Sequence, residues 1–314
     1  MDYTTLGRTG LRVSVAGLGC GGFSRLGLAT GRSEGEAEAL VRAALDLGVN
    51  LLDTAASYGT EDVVGRATAS WPRDELVIAT KANIRREREL LPPGDVLASL
   101  ERSLRALRTD HLDVFQLHGV PPWAYDHAVG TILPVLRREQ EKGRIRHIGI
   151  TETAADPGHA MLQRALADDL WDTMMVHFHL MHQNARTLVF PETREKRVGT
   201  LLMFVVRNAF SRPERLRAIV RELAADGQLP RSFADDPDPL GFLVHEGGAA
   251  DLTQAAYRYA RHEPGADVVL FGTGDPDHLR ANIASILQPP LPEADRERIA
   301  ALFGHLVGVG LDRP

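Results

Sequence analysis

Eight short apolar runs alternate with amphipathic stretches at intervals of roughly 25 to 40 residues, and this alternation limits the fold more than any single residue does. The runs are Val15–Leu18, Val49–Leu52, Leu76–Ala79, Leu112–Phe115, Ile145–Gly149, Thr173–Val176, Leu201–Phe204 and Asp267–Leu270. Parallel strands need a crossover of a dozen or more residues between them, and the intervening stretches supply helices of that length. Ser33 precedes Glu34 and Glu36 at one helix start, Ala39, Leu40, Ala43, Ala44 and Leu47 form its apolar stripe, and Gly48 stands where a left-handed residue ends a helix. Pro93-Gly94-Asp95 leads into the stripe Val96, Leu97, Leu100, Leu104 and Leu107, and a third helix around Ile132, Leu133, Val135 and Leu136 closes at Lys142-Gly143. Eight such units without a linker predict an α/β fold of one domain over 1–314, a (β/α)8 TIM barrel rather than an open sheet. The gap before the eighth run is wider and leaves room for extra helices near the C-terminus. The segment 226–248, rich in Pro, Asp and Gly, reads as a long loop.

Charge and cysteine usage narrow the function. The net charge is −6 and no basic run stands out, which argues against a nucleic-acid partner. Arg85, Arg86 and Arg88 are interrupted by Glu87 and Glu89 and read as a solvated mixed-charge loop. A single cysteine, Cys20, excludes an internal disulfide and fits a reducing compartment. The opening MDYTTLGRTG lacks a basic-then-apolar signal pattern, and no apolar run reaches about eighteen residues, so a cytoplasmic protein with no membrane partner is expected.

The chemistry lies at the ends of three consecutive runs. The second closes at Asp53, the third at Lys81 and the fourth at His118, and Tyr58 follows Asp53 in the loop that the second strand feeds. In a barrel the C-terminal strand ends converge on one mouth, where barrel enzymes work. Each residue alone could merely cap a strand; four in this order point to a site. Carbonyl reduction needs hydride at carbon and a proton at oxygen. A tyrosine can deliver that proton, but its ordinary pKa of about 10 makes it a reluctant partner near neutrality, and a nearby ammonium lowers it. An aspartate holds the ammonium charged, and a histidine polarises and orients the carbonyl oxygen.

Leu51-Leu52-Asp53-Thr54-Ala55-Ala56-Ser57-Tyr58-Gly59, Ala79-Thr80-Lys81, Leu112 through His118 and Gly143 through Ile150 together resemble the aldo-keto reductase family, as does the opening Leu6-Gly7-Arg8-Thr9-Gly10-Leu11-Arg12-Val13-Ser14, which is similar to its N-terminal β-hairpin. The resemblance covers residues 3 to 151 closely and is patchy beyond. It implies an NAD(P)(H)-dependent oxidoreductase that interconverts a small-molecule carbonyl (aldehyde, ketone or sugar) and an alcohol, with Tyr58 as general acid/base, Lys81 and Asp53 as its tuning pair and His118 as substrate orienter.

The same resemblance assigns a cofactor half. Phe271-Gly272-Thr273-Gly274, then His278 and Asn282, is similar to the family's phosphate and adenine segment, where small residues let backbone amides approach phosphate ahead of a helix N-terminus. Gly21 lies in the rim beside the nicotinamide, Phe204 stacks on it, Thr151 belongs to its carboxamide site and Arg207 reaches pyrophosphate. Several family positions differ. Gly272 replaces a common basic residue, His278 a common arginine that Arg280 could replace, Thr151-Glu152 the usual Ser-Asn, Met175 a frequent glutamine and His179 an asparagine. NADP(H) is the family default and NAD(H) the alternative. Phe23 and Trp123 are candidate walls of the substrate pocket, and the short tail after Val307 implies an open one.

Three other signals are set aside. Gly17-Leu18-Gly19-Cys20-Gly21-Gly22 matches G-x-G-x-x-G, but no helix begins before Ser33, as a dinucleotide-binding turn requires. His177, His179 and His182 suggest a metal, yet no carboxylate or cysteine clusters with them in sequence, so no metal site is expected. Cys20 has no histidine motif that would make it a nucleophile. The alternative to an enzyme is a non-catalytic nicotinamide-binding sensor or regulatory subunit on the same fold, motivated by the altered carboxamide positions.

Overall fold

The computed structural model describes residues 1–311; the last three residues of the expected 1–314 span lie outside them. Each of the eight apolar runs forms a strand: β1 (Ala16–Gly19), β2 (Leu51–Asp53), β3 (Val77–Ala82), β4 (Leu112–Leu117), β5 (Ile145–Thr151), β6 (Thr173–His177), β7 (Gly199–Met203) and β8 (Val268–Phe271). They pair in parallel in chain order, and β8 pairs back onto β1 to close the barrel. The outer helices that matter below are α1 (Glu34–Asp46), α2 (Glu61–Thr68), α3 (Pro93–Ala106), α4 (Leu133–Glu141), α5 (Ala160–Asp168), α6 (Phe190–Lys196), α7 (Pro213–Ala225), α8 (Leu252–Arg261), α9 (Pro276–Ile286) and α10 (Glu293–Phe303).

Local chemistry explains the helix ends. Ser33 and Glu36 form a reciprocal capping box, which satisfies two backbone donors at the start of α1. Gly48 ends that unit at φ 89°, a conformation glycine adopts without steric cost. The wide gap before β8 is filled by a short helix at Asn208–Ser211, by α7 and by α8, and α10 follows the last barrel helix.

Strand alternation separates two cores. Outward residues such as Leu52, Ile78 and Phe115 join the large cluster under the helices. Inward residues Leu51, Val77, Ala79, Val114, Met175, Leu201 and Val268 form a separate cluster inside the barrel. The floor of that inner core is the antiparallel hairpin Tyr3–Thr5 with Arg12–Ser14, which contributes Leu6, Leu11 and Val13. A side chain at Gly199 would place its Cβ 2.7 Å from Leu6 Cγ, so the glycine is what admits the leucine.

Two sequence expectations need correction, and a third gains detail. Arg85–Arg86 pairs with Glu89–Leu90 in a small hairpin rather than lying in an open loop. Arg25–Thr30 already forms tight helical turns before Ser33, broken by left-handed Leu26 and Gly27. The segment 226–248 is a loop carrying two such turns, Arg231–Phe233 and Gly241–Leu243.

Because Leu6 is fully buried beneath the inner core, Leu6→Ala is expected to lower unfolding free energy by about 2–5 kcal/mol in a urea titration. A loss under about 1 kcal/mol would show that the hairpin is a dispensable cover.

Candidate active site

Parallel register brings the candidate residues together. Asp53 pairs with Ala79 across β2 and β3, and Lys81 pairs with Gln116 across β3 and β4, so their inward side chains meet just inside the mouth. Lys81 Nζ donates to Asp53 Oδ2 at 2.7 Å and to the Thr54 carbonyl at 2.8 Å. Gln116 Nε2 donates to the other carboxylate oxygen at 3.3 Å. Sequence reasoning missed Gln116, although its place two residues before His118 puts it on the same strand face.

Tyr58 is carried by a short loop that the barrel pins at several points. The Ala56 N–H donates to the Lys81 carbonyl at 3.1 Å, the Tyr58 N–H to the Ala55 carbonyl at 3.0 Å, and the Thr54 and Thr60 hydroxyls lie 2.9 Å apart. The ring stands with its centroid 5.0 Å from Lys81 Nζ. Its hydroxyl lies 3.4 Å from His118 Nε2, and Ser57 Oγ lies 3.5 Å from Nδ1, both at the long end of hydrogen bonding. Gly21 packs on this ring: a Cβ there would fall 2.4 Å from Tyr58 Cε2. Thr151 Oγ1 accepts the Gly119 N–H at 2.7 Å and so fixes the backbone next to His118.

Burial dominates the electrostatics. It lowers the Lys81 ammonium, but Asp53 and then Tyr58 more than reverse this, and the lysine ends above its ordinary value. Burial pushes the Asp53 carboxyl up against the pull of Lys81, and Gln116 also favours the charged form. Tyr58 is likewise raised by burial, which outweighs the lowering effect of Lys81. The expected influence of the lysine is therefore present, but it does not win. His118 is held down to about 3 by burial and then by the charges of Lys81 and Arg85, so its imidazole is neutral. Burial also pushes the Cys20 thiol up and away from thiolate. Phe23 and Trp123, in the loops after β1 and β4, are 66% and 49% exposed.

The profile of the Aldo/keto reductase family matches residues 17–303. The chain belongs to that family. It is 26% identical to Aldo-keto reductase YhdN of Bacillus subtilis (strain 168), over 98% of this chain and 95% of that protein. It is 30% identical to L-galactose dehydrogenase of Arabidopsis thaliana over 64% of each. Among solved structures, aldo-keto reductase AKR11C1 from Bacillus halodurans (holo form) superposes with TM-score 0.69 at 22% identity, covering 96% of both chains. The thermostable aldo-keto reductase Tm1743, in complex with the inhibitor epalrestat, superposes with TM-score 0.71 at 21% identity, covering 96% of this chain and all of that one. These two likenesses concern the fold. Membership makes this chain an enzyme of a nicotinamide-dependent oxidoreductase class acting on small carbonyl and alcohol compounds.

On this aldo/keto reductase barrel, the segment after β8 departs from a simple phosphate cradle. Gly274 is small because the Gly27 backbone passes within 2.4 Å of where its Cβ would sit, and Thr273 is buried with its hydroxyl accepting the Asp275 N–H. Asp275 caps α9, accepting from the Asp277 and His278 N–H groups, and it pairs with Arg32 at 3.0 Å. Gly272 and His278 are exposed, and Asn282 is half-buried on α9. Arg280 is exposed and pairs with Asp277. Phe204 follows β7 at φ 67°, with its ring parallel to His177 at 6.2 Å between centroids and the Arg207 guanidinium 4.2 Å from its centroid. Arg207 also donates to the Leu311 carbonyl at 3.2 Å, which ties the tail to the rim.

The largest surprise lies beyond β5 and β6. Glu152 turns into a buried cluster, where it accepts the His177 N–H and pairs with His159 Nδ1, both at 2.8 Å. Of the histidines noted in sequence, His177 and His182 meet here with His159, which sequence spacing did not flag; their ligand nitrogens lie within 4.8 Å of one another. His179 lies alongside, its Nδ1 accepting the Met181 N–H. The hydrogen bonds assign tautomers. Gly308 N–H donates to His182 Nδ1, so His182 carries its proton on Nε2, which faces His177 Nδ1 at 2.9 Å. His159 Nδ1 lies 2.8 Å from Glu152 Oε2 and its Nε2 3.0 Å from Asn184 Oδ1, so His159 and Glu152, whose carboxyl burial pushes up to about 7, share one proton between them. The sequence expectation of no carboxylate beside these histidines is corrected by Glu152, whose Oε2 lies 2.8 Å from His159 Nδ1 and 3.3 Å from His177 Nε2.

Two predictions follow from these geometries. Lys81→Met strands a buried carboxylate and is expected to cost about 3–5 kcal/mol in chemical denaturation, most of it recovered when Asp53→Asn is added. An equal cost in the double variant would mean that packing, not charge, is responsible. For the cluster, burial holds His177 at about 2 and His182 at about 3, whereas hydrogen bonding to Glu152 raises His159 despite burial. Nitrogen-detected imidazole spectra are therefore expected to show His177 and His182 neutral from pH 8 down to pH 5, with His159 taking up its proton at a higher pH than either. A midpoint for His177 or His182 near its unfolded value of about 6.5 would overturn the tautomer assignment.

Proposed function

We propose that this enzyme reduces an aldehyde, ketone or sugar carbonyl to the alcohol, and catalyses the reverse, with Tyr58 as the proton-transferring residue. The observation that carries this reading is the placement of the Tyr58 hydroxyl 3.4 Å from His118 Nε2, beside the buried Lys81–Asp53 pair, at the barrel mouth. A bound nicotinamide cofactor would supply the hydride. Tyr58, kept as the neutral phenol by burial, donates its proton to the carbonyl oxygen. Lys81 stabilises the phenolate left behind, and Asp53 keeps that lysine charged and aimed. Neutral His118 donates a hydrogen bond to the same oxygen and fixes its angle. Phe23 and Trp123 wall the substrate, while Gly21 acts through Tyr58 and Thr151 through the Gly119 backbone beside His118.

The residues present fit a dinucleotide, with a departure at its adenosine end. Gly272, Thr273, Gly274, His278 and Asn282 lie on the loop and first turns that would hold it, and Phe204 and Arg207 sit across the mouth. The Asp275 carboxylate already satisfies the N-terminus of α9 and engages Arg32, which also pairs with Glu36. A carboxylate there repels a 2′-phosphate and can accept from a ribose hydroxyl. This supports NAD(H) over the family default, NADP(H).

The test couples binding to turnover. Fluorescence titration with NADH and NADPH is expected to show tighter binding of NADH, and Tyr58→Phe is expected to lower kcat by about 10²- to 10⁴-fold with cofactor affinity kept. Full activity in Tyr58→Phe removes the assigned role. Tight cofactor binding by the native chain with no turnover across aldehydes, ketones and sugars favours a sensor.

A further inference from the structure

The hairpin that follows β3 places a cation beside the proposed reaction site. Its turn is made at Glu87, φ 51°, and Arg85 on its first strand leans toward the loop after β4. The Arg85 guanidinium carbon lies 5.9 Å from the Trp123 ring centroid, and one terminal nitrogen donates to the Glu87 carbonyl at 2.8 Å. Its Nε is buried and has no hydrogen-bond partner. Arg85 forms no ion pair with a carboxylate among the described residues, unlike Arg8, Arg32, Arg66, Arg73, Arg144 and Arg186. It is nevertheless near enough to His118 for its charge to help hold that imidazole neutral.

An exposed arginine needs no partner, because water serves it. A half-buried guanidinium with an orphaned N–H carries a desolvation cost that the fold leaves unrelieved. A planar fork held against an aromatic face is the geometry that receives a carboxylate in bidentate fashion. Charge favours a monoanion over a phosphate dianion: Arg85, Arg86 and Arg88, set against Glu87 and Glu89, leave the hairpin one net positive charge.

Building on the reductase reading above, we propose that Arg85 is a specificity-determining residue that binds the carboxylate of an acidic carbonyl substrate, with Trp123 packing against the substrate's body. The carbonyl then points to Tyr58 and His118, and the carboxylate meets the hairpin.

The test uses 3- and 4-carboxybenzaldehyde, each against its methyl ester, with the native chain and Arg85→Gln. The ratio of kcat/KM for acid over ester is expected to be about ten or more in the native chain for at least one isomer, and to fall to near one in Arg85→Gln, the size of a lost charge-assisted hydrogen bond. Arg85→Lys, which keeps charge but not the fork, should retain an intermediate ratio. A native ratio of one for both isomers, or a ratio unchanged in Arg85→Gln, overturns the proposal. If no aldehyde is turned over, the reductase reading fails by itself, and calorimetric titration with benzoate decides the role of Arg85. Benzoate binding weakened about tenfold or more in Arg85→Gln supports it. Equal affinity in the two chains, no binding, or tighter binding of phenyl phosphate overturns it.

Discussion

The Lys81–Asp53 pair is the contact around which the mouth of this barrel is arranged. Two opposite charges are enclosed there at 2.7 Å, with almost no solvent access. A buried ion pair of this kind gains little net stability, because desolvation offsets most of the attraction. Its value lies in position. The Thr54 carbonyl accepts a second hydrogen bond from the lysine and the Gln116 amide donates to the other aspartate oxygen, so both side chains are held from more than one direction. The same lysine holds the tyrosine loop through its backbone, since the Lys81 carbonyl accepts the Ala56 N–H. One residue therefore fixes both the charge under Tyr58 and the path of the chain that carries Tyr58.

The pair can exist only because the inner layer changes character along the strands. At the bottom the inward positions are Leu51, Val77, Val114, Met175, Leu201 and Val268, sealed from below by Leu6. Nearer the top they become Asp53, Lys81 and Gln116. The apolar layers keep water from reaching the charges from beneath, and the hairpin floor keeps those layers dry. Placement of polar groups at the C-terminal strand ends follows from barrel geometry, since that is the end where inward side chains face open space.

This explains what was legible in the sequence. Strand existence was plain because most of each run is apolar, as a buried parallel barrel demands, and capping residues such as Ser33 and Gly48 act through nearest neighbours. Asp53, Tyr58, Lys81 and His118 were legible because each sits at or just past a strand end, so chain order maps directly onto space. His159 was not, because it enters the Glu152 cluster from the start of α5, where no periodicity marks a buried polar residue. Glu152 itself looked like a poor substitute at a carboxamide site, yet its carboxylate is fully committed to His159 and the His177 N–H. Likewise Gly21 and Gly274 looked like cofactor-facing glycines, but the neighbours they avoid are Tyr58 and the Gly27 backbone. Sequence pattern identifies where small or polar residues stand; it does not say which of two neighbours requires them.

The two sides of the mouth solve opposite electrostatic problems. Beyond β5 and β6, Glu152 and the imidazoles of His159, His177 and His182 satisfy one another, and the Gly308 N–H closes over them onto His182. On the β2–β4 side, Lys81 is cancelled by Asp53, and His118 and Tyr58 are kept neutral by burial. In the reaction proposed above, a carbonyl oxygen that gains negative charge there would meet two neutral donors rather than a bare cation. Fixed dipoles of that sort favour charge as it develops without holding the product as a salt. The charge of Arg85, which has no carboxylate partner among the described residues, stands off to the side at the hairpin, where under the proposal it would hold one end of a substrate while the reacting oxygen is left to Tyr58 and His118.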